Sequence, residues 1–303
     1  MPENAIPYKY RAFGLDIQSE IEIPEFLEGQ FSEPQVKILI SSTPSTLKNP
    51  EKTGVRYQVK EQEFLLWVDD IARYYVREGN RIFIQKQGGG TLQEVRLFLI
   101  GVVFSALLQQ RNIFALHASA IKRGKESFLV CGSSGAGKST LTREFLNAGY
   151  QLLADDISVI SGSSQAVAVQ PAFPFIKLWK DSMDHLELKE EEGRKLRDEL
   201  EKYGFQLTHE FYSRELPVSR IFILIPHNQP IYKSEELSGL EKFAALKNHT
   251  YSFQFISTAY RSYHFKTIHL LASGIPVTRI YRPQAPIDAT DLRVYMEEVL
   301  DDL

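Results

Sequence analysis

Eight consecutive residues, Gly132-Ser133-Ser134-Gly135-Ala136-Gly137-Lys138-Ser139, leave few folds open to this chain. They fit the phosphate-loop pattern G-x-x-x-x-G-K-[ST] without a mismatch. An apolar run, SFLVC, precedes them, and a helix-forming run, STLTREFLNA, follows. A strand must therefore enter the loop and a helix must leave it, which implies a mixed α/β core. Glycines at 132, 135 and 137 let successive backbone N–H groups turn inward around a phosphate. Lys138 brings a compact cation to the outer phosphates, and the positive end of the following helix adds its field. Ser139 can place its hydroxyl on Mg²⁺, and Thr140 continues the same turn. The stretch Gly132 to Thr140 is thus the candidate nucleotide cradle, although a cradle by itself names no reaction.

The 303 residues allow one large domain or two ordinary ones. Thirty-five basic against 38 acidic side chains give a net charge of −3, which argues against a broad nucleic-acid or anionic-membrane surface. The opening residues, MPENAIPYKYRAF, lack the basic head and apolar run of a signal peptide. The longest apolar segment, Leu97 to Leu108, falls short of the roughly 18 residues a membrane span needs. A cytoplasmic protein is expected. Cys131 is the single cysteine, so no disulfide within the chain and no cysteine metal cluster can form. Its apolar neighbours make it a small buried thiol.

From Tyr8 to about Lys86 the chain reads as short strands, YKYRAF, VKILI, VRYQV, FLLWV, ARYYV and RIFIQK, with Pro- or Gly-rich breaks between them. Residues 1–90 are expected to form a smaller β-rich N-terminal domain and residues 91–303 the phosphate-loop domain. Leu92 to Gln110 carries helical spacing. LHASAI and SFLVCG should pair as a hairpin, and the loop helix should be followed by one strand, YQLLADDISVI. Asp181 to Gly204, with Leu196, Leu200 and Tyr203 at i, i+4 and i+7, predicts a solvated amphipathic helix. Arg220 to Pro226 predicts a buried strand, Leu240 to Asn248 and Tyr260 to Ser273 predict helices, and VTRIY predicts a last strand before a C-terminal helix near Asp291.

Asp155 and Asp156 end the apolar run LLA, seventeen and eighteen residues after Lys138. Carboxylates beside a phosphate loop are the oxygen ligands that Mg²⁺-nucleotide chemistry requires. Two together suggest a division of labour, one serving the metal and one accepting a proton from an attacking hydroxyl. His117, on the strand expected to pair with the one entering the loop, could orient Asp155 or tune its proton affinity. The histidines at 185, 209, 227, 249, 264 and 269 show no metal-ligand spacing.

LHASAI, GSSGAGKST and GYQLLADD, in that order and spacing, resemble the catalytic core of the HPr kinase/phosphorylase family, whose nucleotide fold is shared with ATP-dependent phosphoenolpyruvate carboxykinase. The resemblance implies ATP-dependent phosphorylation of a serine hydroxyl. It makes Asp155 the general base with His117 beside it and Lys138 at the phosphates, and it gives Mg²⁺ to Ser139 and Asp156. After the aspartates this chain reads PAFPFIKLWKD where the HPr kinases carry a segment like LEVRGLGI. The whole pattern, with YRAFGLDIQSEIEIPEF at the start and FPFIKLW after the core, is similar to HPr-kinase-like proteins of lasso-peptide biosynthesis. That likeness implies a precursor peptide as partner, phosphorylated on its C-terminal serine, and a protein that can assemble as the HPr kinases do. Free serine or a related metabolite as acceptor, or a nucleotide-binding regulatory module without catalysis, are the alternatives. Arg214 and Arg261 are candidates for an extra cation at the transferred phosphate.

Overall fold

The computed structural model describes residues 6–163, 166–186, 188–197, 200–207, 209–284 and 288–301. By compactness the chain divides into two units, one of residues 1–115 with 251–266 and one of residues 116–250 with 267–303. This division differs from the expected boundary after residue 90. The apolar helix that follows the N-terminal strands is counted with them, because its buried face completes their core, and a later segment returns to the same unit.

The first unit is built on a nine-stranded sheet. Its strands are β1 (Tyr8–Ala12), β2 (Leu15–Ser19), β3 (Leu27–Glu28), β4 (Val36–Ile40), β5 (Lys52–Thr53), β6 (Tyr57–Lys60), β7 (Glu63–Val68), β8 (Ala72–Arg77) and β9 (Arg81–Lys86). They lie in the order β3-β1-β2-β4-β9-β8-β7-β6-β5. Apolar and polar residues alternate along β2 and β8, so one face of each is buried and the other is wet. Helices α1 (Leu92–Phe98) and α2 (Phe104–Gln110) are continuous through a π turn at Leu99–Val103. Thr91 and Glu94 start this run with a reciprocal capping box. The combined Leu92–Gln110 helix is long and apolar enough to cross a bilayer, but 67% of its apolar window is buried inside the protein. Phe104 shows why: its ring centroid lies 5.4 Å from those of both Phe13 and Phe26. Filling this unit's core accounts for the apolar run without a membrane.

The second unit carries another nine-stranded sheet and a small three-stranded one. The strand β10 (Phe114–Leu116) ends at the first residue of this unit, and its further elements are β11 (Ala118–Arg123), β12 (Glu126–Gly132), α3 (Lys138–Asn147), β13 (Gln151–Ala154), β14 (Ser158–Ser163), β15 (Ala166–Val169), β16 (Phe175–Trp179), α4 (Lys180–His185), β17 (Arg194–Arg197), β18 (Leu200–Gln206), β19 (Leu216–His227), β20 (Lys233–Glu236), α5 (Gly239–Asn248), β21 (Val277–Pro283) and α7 (Ala289–Asp301). Between α5 and β21 runs α6 (Arg261–Gly274). The larger sheet follows β10-β14-β15-β19-β12-β11-β13, with β21 paired to β19 and β20 to β21. The central strand β12 lies antiparallel to β11 and parallel to β19. Buried on both faces, it reads as the unbroken apolar run SFLVC. Phe145 and Leu141 of α3 pack with Phe128, Phe222, Leu292 and Met296 of the neighbouring elements. Each such side chain, fully buried, contributes about 1.5–3 kcal/mol. That packing anchors the helix whose first turn borders the phosphate loop.

Two segments differ from their sequence reading. The stretch 181–204 is not one helix. It is the short α4, a 3₁₀ turn at Glu190–Glu192 and the β17–β18 hairpin. Leu196 and Tyr203 are buried, and Tyr203 sits beside Ile176, Leu178 and Phe205. The i, i+4, i+7 spacing there is coincidental. Gly193 and Gly204 leave room for aromatic rings, because a Cβ at Gly204 would meet Phe175 at 2.0 Å, and strand pairing overrides the helical propensity of the charged run. YQLLADDISVI is likewise two strands, β13 and β14, broken at the aspartates. Asp156 adopts φ 71°, and the Ile157 N–H bonds to the Asp155 carbonyl at 2.8 Å.

Candidate active site

The phosphate loop occupies the turn between β12 and α3. Gly135 and Gly137 have φ of 79° and 87°, backbone positions that side chains with a β-carbon rarely adopt. Gly137 stands at the N-cap of α3 and supplies no side-chain cap, so the first-turn N–H groups of the helix are left to face the cavity. Gly132 meets a different need: a Cβ there would lie 2.9 Å from the Ala136 Cβ. Ala136 itself is buried and packs into the core beneath the loop. Of the nine loop residues, Ser133, Ser134, Gly135, Gly137, Lys138, Ser139 and Thr140 line one cavity of about 590 Å³. Gly132 and Ala136 support it from below. Lys138 is buried, and its ammonium donates to the Gly132 carbonyl at 2.7 Å. Burial lowers its pKa, and the charges of Asp156 and Asp155 act in the opposite sense. The Thr140 hydroxyl donates to Ser182 Oγ at 2.7 Å.

Asp155, Asp156 and His117 line the same cavity. The β11–β13 register explains this convergence. Ala120 faces Ala154, so the residues after Ala154 leave the strand beside Ser119 of β11 and His117, which stands at the bend between β10 and β11. Ser119 Oγ donates to Asp155 Oδ1 at 2.7 Å, while His117 Nδ1 lies 3.1 Å from Asp156 Oδ1. The expected partnership of His117 with Asp155 is therefore corrected. The imidazole serves Asp156, and the buried Ser119 hydroxyl takes the place it was given. The backbone N–H of His117 is tied in turn to the His249 carbonyl at 2.7 Å.

The two neighbouring carboxylates lie in opposite electrostatic environments. Asp155 is 5% exposed. Its burial, and then the charge of Asp156, push its pKa above the ordinary carboxylate value, against the smaller opposing effects of Ser119 and Lys177. Asp156 also meets a burial penalty, but the Lys177 charge and the His117 hydrogen bond outweigh it and hold this carboxyl well below the usual range. Lys177 Nζ sits 3.2 Å from Asp156 Oδ2. One carboxyl thus has a raised proton affinity, and the other stays ionised. The φ of 71° at Asp156 is a conformation that an aspartate tolerates at modest cost.

Lys177 and Lys202 were not singled out in the sequence, yet both line the cavity. Lys177 and Trp179 project from one face of β16, because they are two residues apart on a strand. Lys202 is the partner of Trp179 in the β16–β18 pairing, and its ammonium lies over the Trp179 ring, 5.1 Å from the centroid. The reading of 181–204 as a solvated helix hid Lys202. For Lys177, the alternation in FIKLW was an available signal. Arg214 and Arg261 do not line this cavity; Arg214 is exposed and Arg261 belongs to the first unit. Arg282 was also missed. It is almost fully buried, and its guanidinium donates to the carbonyls of Ala136 at 2.9 Å and Gly135 at 3.3 Å, bracing the loop from behind.

The donor set suits a nucleotide with Mg²⁺. The loop offers backbone N–H groups, glycine conformations and an ammonium for phosphates. Ser139 and Asp156 offer the hard oxygen ligands that Mg²⁺ takes.

No family model matches the chain, and no curated protein matches it. Among solved structures it is similar to one described as the Hpr(Ser) kinase/phosphatase from Coxiella burnetii, at 14% sequence identity and a TM-score of 0.33, covering 62% of this chain and 88% of that one.

Proposed function

We propose that this protein is a Mg²⁺-ATP-dependent kinase that phosphorylates a serine hydroxyl, with the C-terminal serine of a lasso-type ribosomal precursor peptide as acceptor and the cytoplasm as its compartment. The observation that carries the reading is the pair of adjacent carboxylates, pushed to opposite proton affinities, in one cavity with a phosphate loop. Paired titratable groups driven apart in this way mark an acid–base assignment. A module that only holds a nucleotide has use for the ionised Asp156 but none for a buried carboxylate of raised basicity.

In this reading the loop backbone and Lys138 hold the nucleotide's phosphates, and Ser139 and Asp156 are the protein's ligands to Mg²⁺. The metal, when bound, neutralises phosphate charge. Asp155, oriented by Ser119, accepts the proton of the acceptor hydroxyl as that oxygen bonds to the γ-phosphorus and the bond to the departing ADP oxygen breaks. Lys177 and His117 keep Asp156 ionised. Lys177, on the cavity wall, takes the part that the sequence had offered to an arginine.

The test is incubation with Mg²⁺-ATP and a peptide ending in serine, read as a mass gain of one phosphate. Asp155→Asn keeps an acceptor for Ser119 and removes the base. It is expected to lower the transfer rate by roughly 10² to 10⁴ while ATP affinity stays within about twofold. Full activity in Asp155→Asn refutes the assigned base. No phosphate gain on any hydroxyl acceptor refutes the kinase.

A further inference from the structure

Three ammonium groups line the cavity, and only two of them are engaged by the loop and the carboxylates. Lys138 bonds to loop carbonyls, and Lys177 is paired with Asp156. Lys202 forms no hydrogen bond or ion pair among the described residues; its contact is the face of Trp179. It is also partly withdrawn from water, and burial, followed by the nearby charge of Lys177, lowers its pKa, while Asp156 and Asp155 act in the opposite sense. A lysine so held costs free energy unless an anion completes it. Trp179 is 42% exposed, the largest side chain left so open in the second unit. Its ring therefore presents an apolar flank beside the ammonium. Cross-strand pairing fixes the two side by side at one end of the small sheet.

We infer that Lys202 and Trp179 form an acceptor subsite that takes a carboxylate close to the reacting hydroxyl, so that the substrate class is a β-hydroxy carboxylate: a serine with its α-carboxylate free. This rests on the kinase reading for the hydroxyl's fate, but the anion subsite stands on its own geometry. The phosphates already have the loop, the helix terminus and Lys138. An acceptor lying against Trp179 brings its anion to Lys202, in the same cavity as the base Asp155. The same charge arrangement disfavours an internal serine, whose main chain continues as a neutral amide. The loss of one charge-assisted contact in a partly dry site predicts a preference of roughly 10- to 100-fold for the free acid.

The sequence holds two tryptophans, Trp67 and Trp179, so Trp67→Phe makes Trp179 the sole reporter. This protein is titrated with N-acetylserine and with N-acetylserinamide, following tryptophan emission. The acid is expected to bind at least about tenfold more tightly than the amide. Adding Lys202→Gln is expected to reduce that difference to less than about twofold. Equal affinities, a preference that survives Lys202→Gln, or no response to either probe overturns the inference. In a second arm, a peptide ending in serine, its C-terminal amide and free serine are compared as phosphate acceptors with Mg²⁺-ATP. A kcat/KM advantage of the peptide acid over free serine identifies a peptide source, and the reverse identifies a metabolite. Equal transfer to acid and amide removes the subsite and leaves the kinase. Lys202-dependent acid binding without transfer to any acceptor removes the kinase and leaves the subsite. A fall in kcat for acid and amide alike in Lys202→Gln, with KM unchanged, makes Lys202 a phosphoryl-stabilising group instead and overturns the inference.

Discussion

Arg282→Met tests whether the phosphate loop is held in its shape from below. The Arg282 side chain is 2% exposed and spans four carbonyls, those of Ala136 at 2.9 Å, Gly135 at 3.3 Å, Pro283 at 2.7 Å and Gln284 at 3.5 Å. Two of these bonds are short enough to count fully. Methionine fills similar space but donates nothing. Ala136 is buried, so its carbonyl cannot recover the loss from bulk water, and an unmet buried acceptor costs about 1–3 kcal/mol. The carbonyls of Gly135 and Gln284 are more accessible and rehydrate, and removal of a buried charge offsets part of the loss. The expected net destabilisation is about 1–2 kcal/mol, read by urea denaturation. The functional effect is separate. If two loop residues regain their freedom, re-ordering them on binding costs about 2 kcal/mol at the low end of the usual backbone range, or roughly 30-fold in affinity. Isothermal titration with ADP measures it. Arg282→Lys keeps the charge but cannot fork onto adjacent carbonyls, so its affinity should fall between the two. If Arg282→Met loses stability while ADP affinity stays within about twofold, the guanidinium is a core prop and the bracing argument fails.

The Lys177–Asp156 pair makes a pH-dependent prediction. Lys177→Met leaves Asp156 with the His117 contact and the charges of Lys138 and Lys202, and is expected to cost about 2 kcal/mol at neutral pH, less than a fully buried pair because the carboxylate keeps 28% exposure. Because Asp156 has a depressed folded pKa, its ionised form contributes stability that is present above the ordinary carboxylate pKa and is lost as pH falls below it. The gap between wild type and Lys177→Met should therefore narrow below about pH 4, and a gap constant down to acid pH refutes the assigned pairing. His264 predicts acid lability in the first unit. It is buried, both ring nitrogens lack a hydrogen-bond partner among the described residues, and burial pushes its pKa down to about 4. The unfolded chain takes up this proton near pH 6.5 and the folded one does not, so stability falls by about 3 kcal/mol as pH drops from 6.5 to 4. His264→Leu should flatten that part of the profile, and an unchanged slope in the variant refutes the assignment.

How much of the site was legible depended on the range of the interactions that make it. The phosphate loop is a local device: glycine conformations, a lysine and a helix start follow one another within nine residues, and flanking apolar periodicity shows the strand and helix that hold them. Most strands of the first unit were equally legible, because alternation with turn residues between them is a short-range signal. The charged run of 181–204 was not, since its helical propensity lost to a β-hairpin whose partner strand, β16, lies upstream in sequence.

The sequence alone determined that a strand, a glycine loop and a helix carry a basic cradle, with two acidic groups and a histidine as candidates for its chemistry. Only the tertiary structure decided which group meets which. Sheet register put Ser119 on Asp155 and His117 on Asp156, hairpin pairing brought Lys202 onto Trp179, and a strand more than 140 residues downstream carried Arg282 under the loop. Proton affinities and hydrogen-bond partners are set across a few ångströms of space, and nothing in the spacing of these residues along the chain encodes that distance.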